Sequence, residues 1–174
     1  MYRANIFGPT LVGEGAHAGR LCVFLTLGEG ESSTEAQIVA RLLAMDTSKS
    51  ARVIVTGDHA WDPSLASAIR SAGFRVHMES DGTRPVLGAV DWLTIAPNPE
   101  SSAVLDKLPA DEIRVVVDDR VDEAVLDRHA ARWRCEHYFV RPADDKQLAR
   151  TLAMIQARPR WRLSLQLQKL VGLP

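Results

Sequence analysis

Cysteine is nearly missing from this sequence: its 174 residues include two, Cys22 and Cys135, far apart along the chain. That excludes a four-cysteine zinc site and a disulfide-rich scaffold, and also any cluster held by three thiolates from this one chain. An excess of one charge is missing too. With 21 Lys and Arg against 22 Asp and Glu, the formal net charge is -1, so no overall field draws in nucleic acid or an acidic membrane. Long apolar runs are absent: stretches such as Leu21–Leu27 are strand-sized, against the ~20 residues of a membrane helix. The opening MYRANIFGPT has no apolar run behind a basic start, so no secretory signal is expected. These absences predict a soluble, cytoplasmic chain whose cysteines are reduced and buried as small hydrophobes. The phosphate-loop, nucleophile-elbow and dinucleotide-binding glycine motifs are absent as well.

What is present is an ordinary globular composition, 46% apolar and 25% charged, enough for a core and unlike a disordered chain. The length fits one domain over residues 1–174. Leu21–Leu27 reads as a strand buried on both faces. Ser32-x-x-Glu35 has the form of a capping box and predicts a helix through Ile38, Val39, Leu42, Leu43 and Met45. Arg52–Thr56 is a second strand, and Asp62-Pro63 opens a helix through Leu65, Ala68 and Ile69. Phe74–Glu79, Asp91–Ile95, Ile113–Val117 and His137–Val140 read as further strands. Between them the sequence predicts a short helical piece at Val86–Val90 and a helix over Val121–Ala130. Lys146–Ala157 is expected as a helix with Leu148, Leu152 and Ile155 inward, and Trp161–Leu165 as a last strand. Alternating strands and helices predict a mostly parallel α/β sheet with crossover helices. A ligand is expected beyond the carboxyl ends of its strands, at Thr26–Gly30, Thr56–Ala60, Glu79–Thr83, Ala96–Asn98 and Arg141–Asp144.

The residues alone offer candidates, each with an ordinary explanation beside it. Gly13-Glu14-Gly15 and Gly82 can let backbone amides approach an anion or a flat ligand, or simply make turns. Asp58-His59, directly after a strand, fits acid–base or metal chemistry as well as a polar loop. His17, His77, His129 and His137 lack zinc-ligand spacing. Asp118, Asp119, Asp122 and Glu123 precede a helix and complement its dipole. Trp133 and Trp161 suit a core or a cleft edge. Residues 141–174 hold seven Lys and Arg against two Asp and Glu, which is either an anion-favouring face or a solvated surface.

Four stretches, in order along the chain, carry a resemblance. They are Ile6–Arg20 with Val23-Phe24-Leu25; Val53–Gly57 with Ala72–Thr83; Val90–Pro97; and Arg158–Gln166 with the terminus Lys169–Pro174. Together they resemble the 7-carboxy-7-deazaguanine synthases, radical S-adenosylmethionine enzymes of the queuosine pathway. The resemblance implies an incomplete, open parallel β/α barrel of radical-SAM type, trimmed at its cluster-bearing edge. It also implies a homodimer. Leu11, Val12, Gly13, Thr56, Gly57, Arg141, Pro142 and Pro174 are then expected to line a pocket for a pterin or deazapurine-like molecule.

The departures from the family pattern matter equally. The family's cysteine triad follows the first strand of the motif, where this chain reads Thr26-Leu-Gly-Glu-Gly-Glu-Ser-Ser-Thr34. The chain is shorter than typical members. The nucleoside motif Gly-Gly-Glu-Pro is replaced by Gly57-Asp58-His59-Ala60. Val12 and Thr26 stand where a substrate-binding Gln and Arg are expected, and Arg141 can supply a replacement positive charge. The expected protein is therefore a catalytically silent homologue with no iron–sulfur cluster, no S-adenosylmethionine and no magnesium. It would bind a pterin-like ligand or act as a partner or regulatory subunit. The alternatives are a repurposed, non-radical enzyme using Asp58, His59 and Glu79, or a homodimeric interaction module. No nucleic acid, membrane or metal is expected.

Overall fold

The computed structural model describes residues 1–57, 61–98 and 109–172. In chain order the described elements are β1 (Tyr2–Leu11), β2 (Leu21–Leu27), β3 (Glu31–Ser33), α1 (Glu35–Met45), β4 (Arg52–Thr56), α2 (Pro63–Ser71) and β5 (Arg75–Ser80). There follow β6 (Trp92–Ile95), β7 (Glu112–Val117), α3 (Glu123–Arg132), β8 (His137–Pro142), α4 (Leu148–Ala157), β9 (Arg162–Leu163) and α5 (Leu167–Leu170). The strands form one sheet in the order β3-β1-β2-β4-β5-β6-β7-β8-β9. From β2 to β9 every pairing is parallel. Among the described residues the sheet does not close: β3 and β9 are its two edges. This is the open, mostly parallel α/β architecture expected from the sequence, with two antiparallel strands added at one side.

The strands alternate. Val23, Leu25, Val53, Val55, Val76, Met78, Leu93, Ile95, Ile113 and Val115 point to the helical side and make the core. Against them lie Ile38 and Leu42 of α1, Leu65 and Ile69 of α2, and Leu126 of α3. Trp133 and Trp161 both belong to this core, at 0% and 2% exposure.

Four local expectations are corrected. The α1 capping box is Thr34 with Gln37, not Ser32 with Glu35: Thr34 Oγ1 accepts from the Gln37 amide at 3.2 Å and Gln37 returns the bond at 2.8 Å. Ser32 and Ser33 are drawn instead into β3, paired with Arg3 and Tyr2, while Glu35 accepts from the Tyr2 hydroxyl. Val86–Val90 is not helical. Gly88 at φ 84° interrupts it, and the segment is too short to nucleate a helix alone; the Trp61 indole holds its Leu87 carbonyl at 3.0 Å. In α4, Thr151 and Met154 face inward, and Leu148 and Leu152 are 38% and 41% exposed. A 3-10 turn at Asp145–Gln147 sets the helix phase, so of the three expected residues only Ile155 packs on the core. The last strand is reduced to Arg162–Leu163.

Candidate functional site

The other set of alternating side chains lines the concave face. Phe24, Ile54, Glu79 and Arg114 border a cavity of about 360 Å³ with Phe7, Leu11, Val12, Gly13, Glu14 and Gln168. Its walls are apolar, from Phe7, Phe24, Leu11 and Ile54, with a few charged or amide groups converging on them, the usual make-up of a small-molecule site.

Those charged groups form one network around Arg114. Its Nη2 lies 2.6 Å from Glu79 Oε1 and its Nε 3.1 Å from Glu14 Oε2, with Nη1 4.0 Å from Glu112 Oε1. The other Glu14 oxygen is 3.1 Å from Arg141 Nε, without the alignment of a hydrogen bond. Three carboxylates thus share two guanidinium groups. Glu112 is 2% exposed; burial is the main reason its carboxyl is pushed up to about 7, against the pull of the Ala16 amide and Arg114.

Glu112 also anchors the loop that carries Glu14. Its Oε2 accepts from the Ala16 amide at 2.8 Å, and the neighbouring Gly15 amide donates to Ser164 Oγ at 3.1 Å. Gly15 is at φ +74°, and a Cβ there would lie 2.2 Å from the Glu112 carboxylate. Gly15→Ala is therefore expected to lose more than the ~1 kcal/mol of a strained backbone, because it also displaces Glu112. Urea melts of the two proteins check this, and an unchanged midpoint would contradict the anchor. Gly13 plays a related part: its carbonyl accepts from Leu167 at 2.9 Å, and a Cβ would strike the Gln168 side chain. The two distant ends of the chain meet here.

Below the network, His17, His77, Trp92 and His137 pack ring against ring, with centroids 4.3 to 6.0 Å apart. Burial, followed by nearby positive charge, lowers His17 to about 4 and His77 to about 3. Both rings are therefore neutral at physiological pH.

Of the residues singled out in the sequence, Leu11, Val12, Gly13 and Glu79 do meet at this cavity. Glu79 is held by Arg114 rather than standing as an unpaired acid. Thr56 donates to Thr26 Oγ1 at 3.2 Å, and Gly57, at φ +79°, packs on the Leu27 carbonyl. Arg141 and Pro142 border a separate groove of about 220 Å³ with Asp144, Ser164 and Lys169; Arg141 reaches the first cavity through Glu14. Asp58, His59 and Pro174 lie outside the described residues. The residues the sequence reading passed over are Glu14, Glu112, Arg114 and Gln168. For Glu112 and Arg114 the signal is the period-two polarity of Glu112-Ile-Arg114-Val; Glu14 and Gln168 lie outside the strands.

The residues present do not fit a three-thiolate iron–sulfur cluster. Cys22 is fully buried within β2, with its thiol pushed up to about 12, mainly by burial; a ligand thiolate needs the opposite shift. Cys135 precedes β8, on the far side of the sheet from β2. The segment after β2 is a tight return, with Gly28 and Gly30 at positive φ, and has no cysteine. Among the described residues no helix is long and apolar enough to cross a membrane.

No protein-family model matches the chain. The chain shares its fold with the crystal structure of QueE from Escherichia coli, with a TM-score of 0.73 over 95% of this chain and 94% of that one. At 19% identity this likeness shows the fold, an open, mostly parallel α/β sheet. The sequence narrows it. The 7-carboxy-7-deazaguanine synthase of Bacteroides thetaiotaomicron is 28% identical over 190 aligned residues, 99% of both chains. That of Burkholderia multivorans is 29% identical over 205, 95% of each. Along nearly its whole length the chain is thus similar to 7-carboxy-7-deazaguanine synthases. Near-complete coverage of the Bacteroides protein leaves room for only a short insertion relative to it.

Proposed function

We propose that this homologue is a binding or partner protein, without iron–sulfur radical chemistry, which takes a flat heteroaromatic ligand of pterin or deazapurine type on its concave face. The observation that carries the reading is the 360 Å³ cavity, in which apolar walls meet Glu14, Glu79 and Arg114. A flat ring with amide-like edges would sit between Phe7, Phe24 and Ile54 and donate to the Glu14 and Glu79 carboxylates. An acidic substituent would meet Arg114 or Arg141. Absence of the radical reaction follows from the cysteine inventory: reductive cleavage of S-adenosylmethionine draws its electron from the cluster, and the fold alone does not supply one.

Thermal shift and calorimetry with 6-carboxytetrahydropterin, 7-carboxy-7-deazaguanine and guanine test this reading. A ligand at a hundredfold excess over Kd is expected to add about 2.7 kcal/mol, or about 5–10 °C in Tm for a domain of this size. Glu14→Gln should weaken that ligand about tenfold, by removing a charged acceptor. Anaerobic reconstitution with iron and sulfide should leave the protein without cluster-stoichiometric iron. Absence of any shift with all three compounds would overturn the ligand, and a stoichiometric four-iron cluster would overturn the loss of chemistry.

A further inference from the structure

The opposite mouth of the half-barrel, at the amino ends of the strands, gathers positive charge that makes no ion pair among the described residues. Arg52 opens β4 and Arg75 opens β5, and the register sets them directly opposite each other. Each stands two residues before a concave-face side chain, Ile54 or His77, so both issue from that face. Arg20 leads into β2, whose Cys22 pairs with Arg52. Burial, then Arg20, then Arg75 lower the Arg52 guanidinium, so the charges acting on it share its sign. Its Nε is buried without a hydrogen-bond partner among the described residues. The Lys49 side chain lies against Gly73, two residues ahead of Arg75.

Three described carboxylates at this end are engaged elsewhere. Asp46 accepts from Ser48 and Ala51. Asp91 accepts from the Val76 amide and pairs with Arg70 at 3.3 Å. Asp111 accepts from the Leu93 amide. Like charges directly opposite on neighbouring strands destabilise a sheet, and a buried donor left unpaired costs more. A bound anion removes both costs.

We propose that Arg20, Arg52 and Arg75 form an oxyanion site for a compact phosphate-bearing ligand at the amino-end mouth, separate from the Arg114 cavity. Adjacent strands are about 4.8 Å apart, so three of them span roughly 10 Å, room for one or two phosphate groups. A nucleic acid would need cations along many phosphates, and the chain as a whole carries -1; a small anion fits better.

The test titrates the full chain at low ionic strength with inorganic phosphate, pyrophosphate, glycerol 3-phosphate and a short single-stranded oligonucleotide. Calorimetry gives the affinity and amide chemical shifts give the location. Saturable binding of a small phosphate is expected, with shifts centred on residues 19–22, 52–53 and 74–77. The tighter of free phosphate and phosphomonoester names the source, and either supports the site. The double variant Arg52→Gln/Arg75→Gln should bind at least about tenfold more weakly, whereas Arg128→Gln on exposed α3 should bind as the parent does. Without anion the double variant should melt at the same temperature or higher, because a like-charge pair has gone. Lack of saturable binding, equal binding by the double variant, a lower melting temperature without anion, or tighter binding of the oligonucleotide would each overturn the proposal.

Discussion

Glu112→Gln is expected to stabilise this protein above neutral pH by roughly 3 kcal/mol, the worth of the shift from an ordinary carboxyl to about 7. The folded carboxyl binds its proton more tightly than the unfolded one does. Between about pH 4.5 and 7 the native state therefore holds more protons than the unfolded chain, and stability falls as pH rises through that window. Below it Glu112 is protonated in both states and the penalty is absent; above it the full penalty remains. The substituted amide would mimic the protonated form at every pH, and its side-chain carbonyl can still accept from Ala16. Denaturant melts at about pH 4.5 and pH 8 check this. The parent should lose stability across the interval through this group, and the variant should lose less. If both respond to pH identically, Glu112 is ionised throughout and the burial argument fails.

Arg114→Leu should have the largest effect in the other direction, a loss of about 3–5 kcal/mol at pH 8, the cost of removing one member of a buried ion network. Arg114 is the cation that Glu14, Glu79 and Glu112 share, and its guanidinium is raised by those carboxylates against the cost of burial. Without it, Glu79 and Glu112 lose their guanidinium, and Glu14 keeps only Arg141. Glu112, already pushed up to about 7 by burial, takes up its proton by about pH 5, so the loss should shrink there. A loss that is the same at both values would mean that packing of the long side chain, not charge, is what Arg114 provides.

The two substitutions probe a site that was only half legible in the sequence. The glycines at 13 and 15 were visible, and so was Glu79 at a strand end. Their meaning was not: Gly15 is required because Glu112, far along the chain, presses against its backbone. No local pattern encodes that contact. The Glu112 and Arg114 alternation could have been noticed, since β7 reads polar, apolar, polar, apolar at its start. A strand buried on both faces by helices would be apolar throughout. The polar half of the alternation is the trace of a sheet that curls around a cleft instead. The same trace runs through Arg75-Val-His77-Met-Glu79 in β5.

The capping box shows the limit at the local scale. Ser32-x-x-Glu35 and Thr34-x-x-Gln37 are both good signals, and only the second caps α1. The choice is made by β1, which draws Ser32 and Ser33 into the sheet edge. In α4, leucine spacing called for one face, and a preceding turn presented another.

By itself, then, the sequence determined the alternation of strands and helices, the resemblance carried by both chain ends, and the lack of three thiolates. Those follow from periodicity and composition, which act along the chain. Tertiary structure alone decided that Arg114 is encircled by carboxylates from three separate segments, that Glu112 holds the 13–17 loop, and that Arg52 faces Arg75. Each depends on strand register and on burial, which strengthens charge interactions by excluding water. Distance in space and the local dielectric are properties of the folded chain, and residue spacing does not record them.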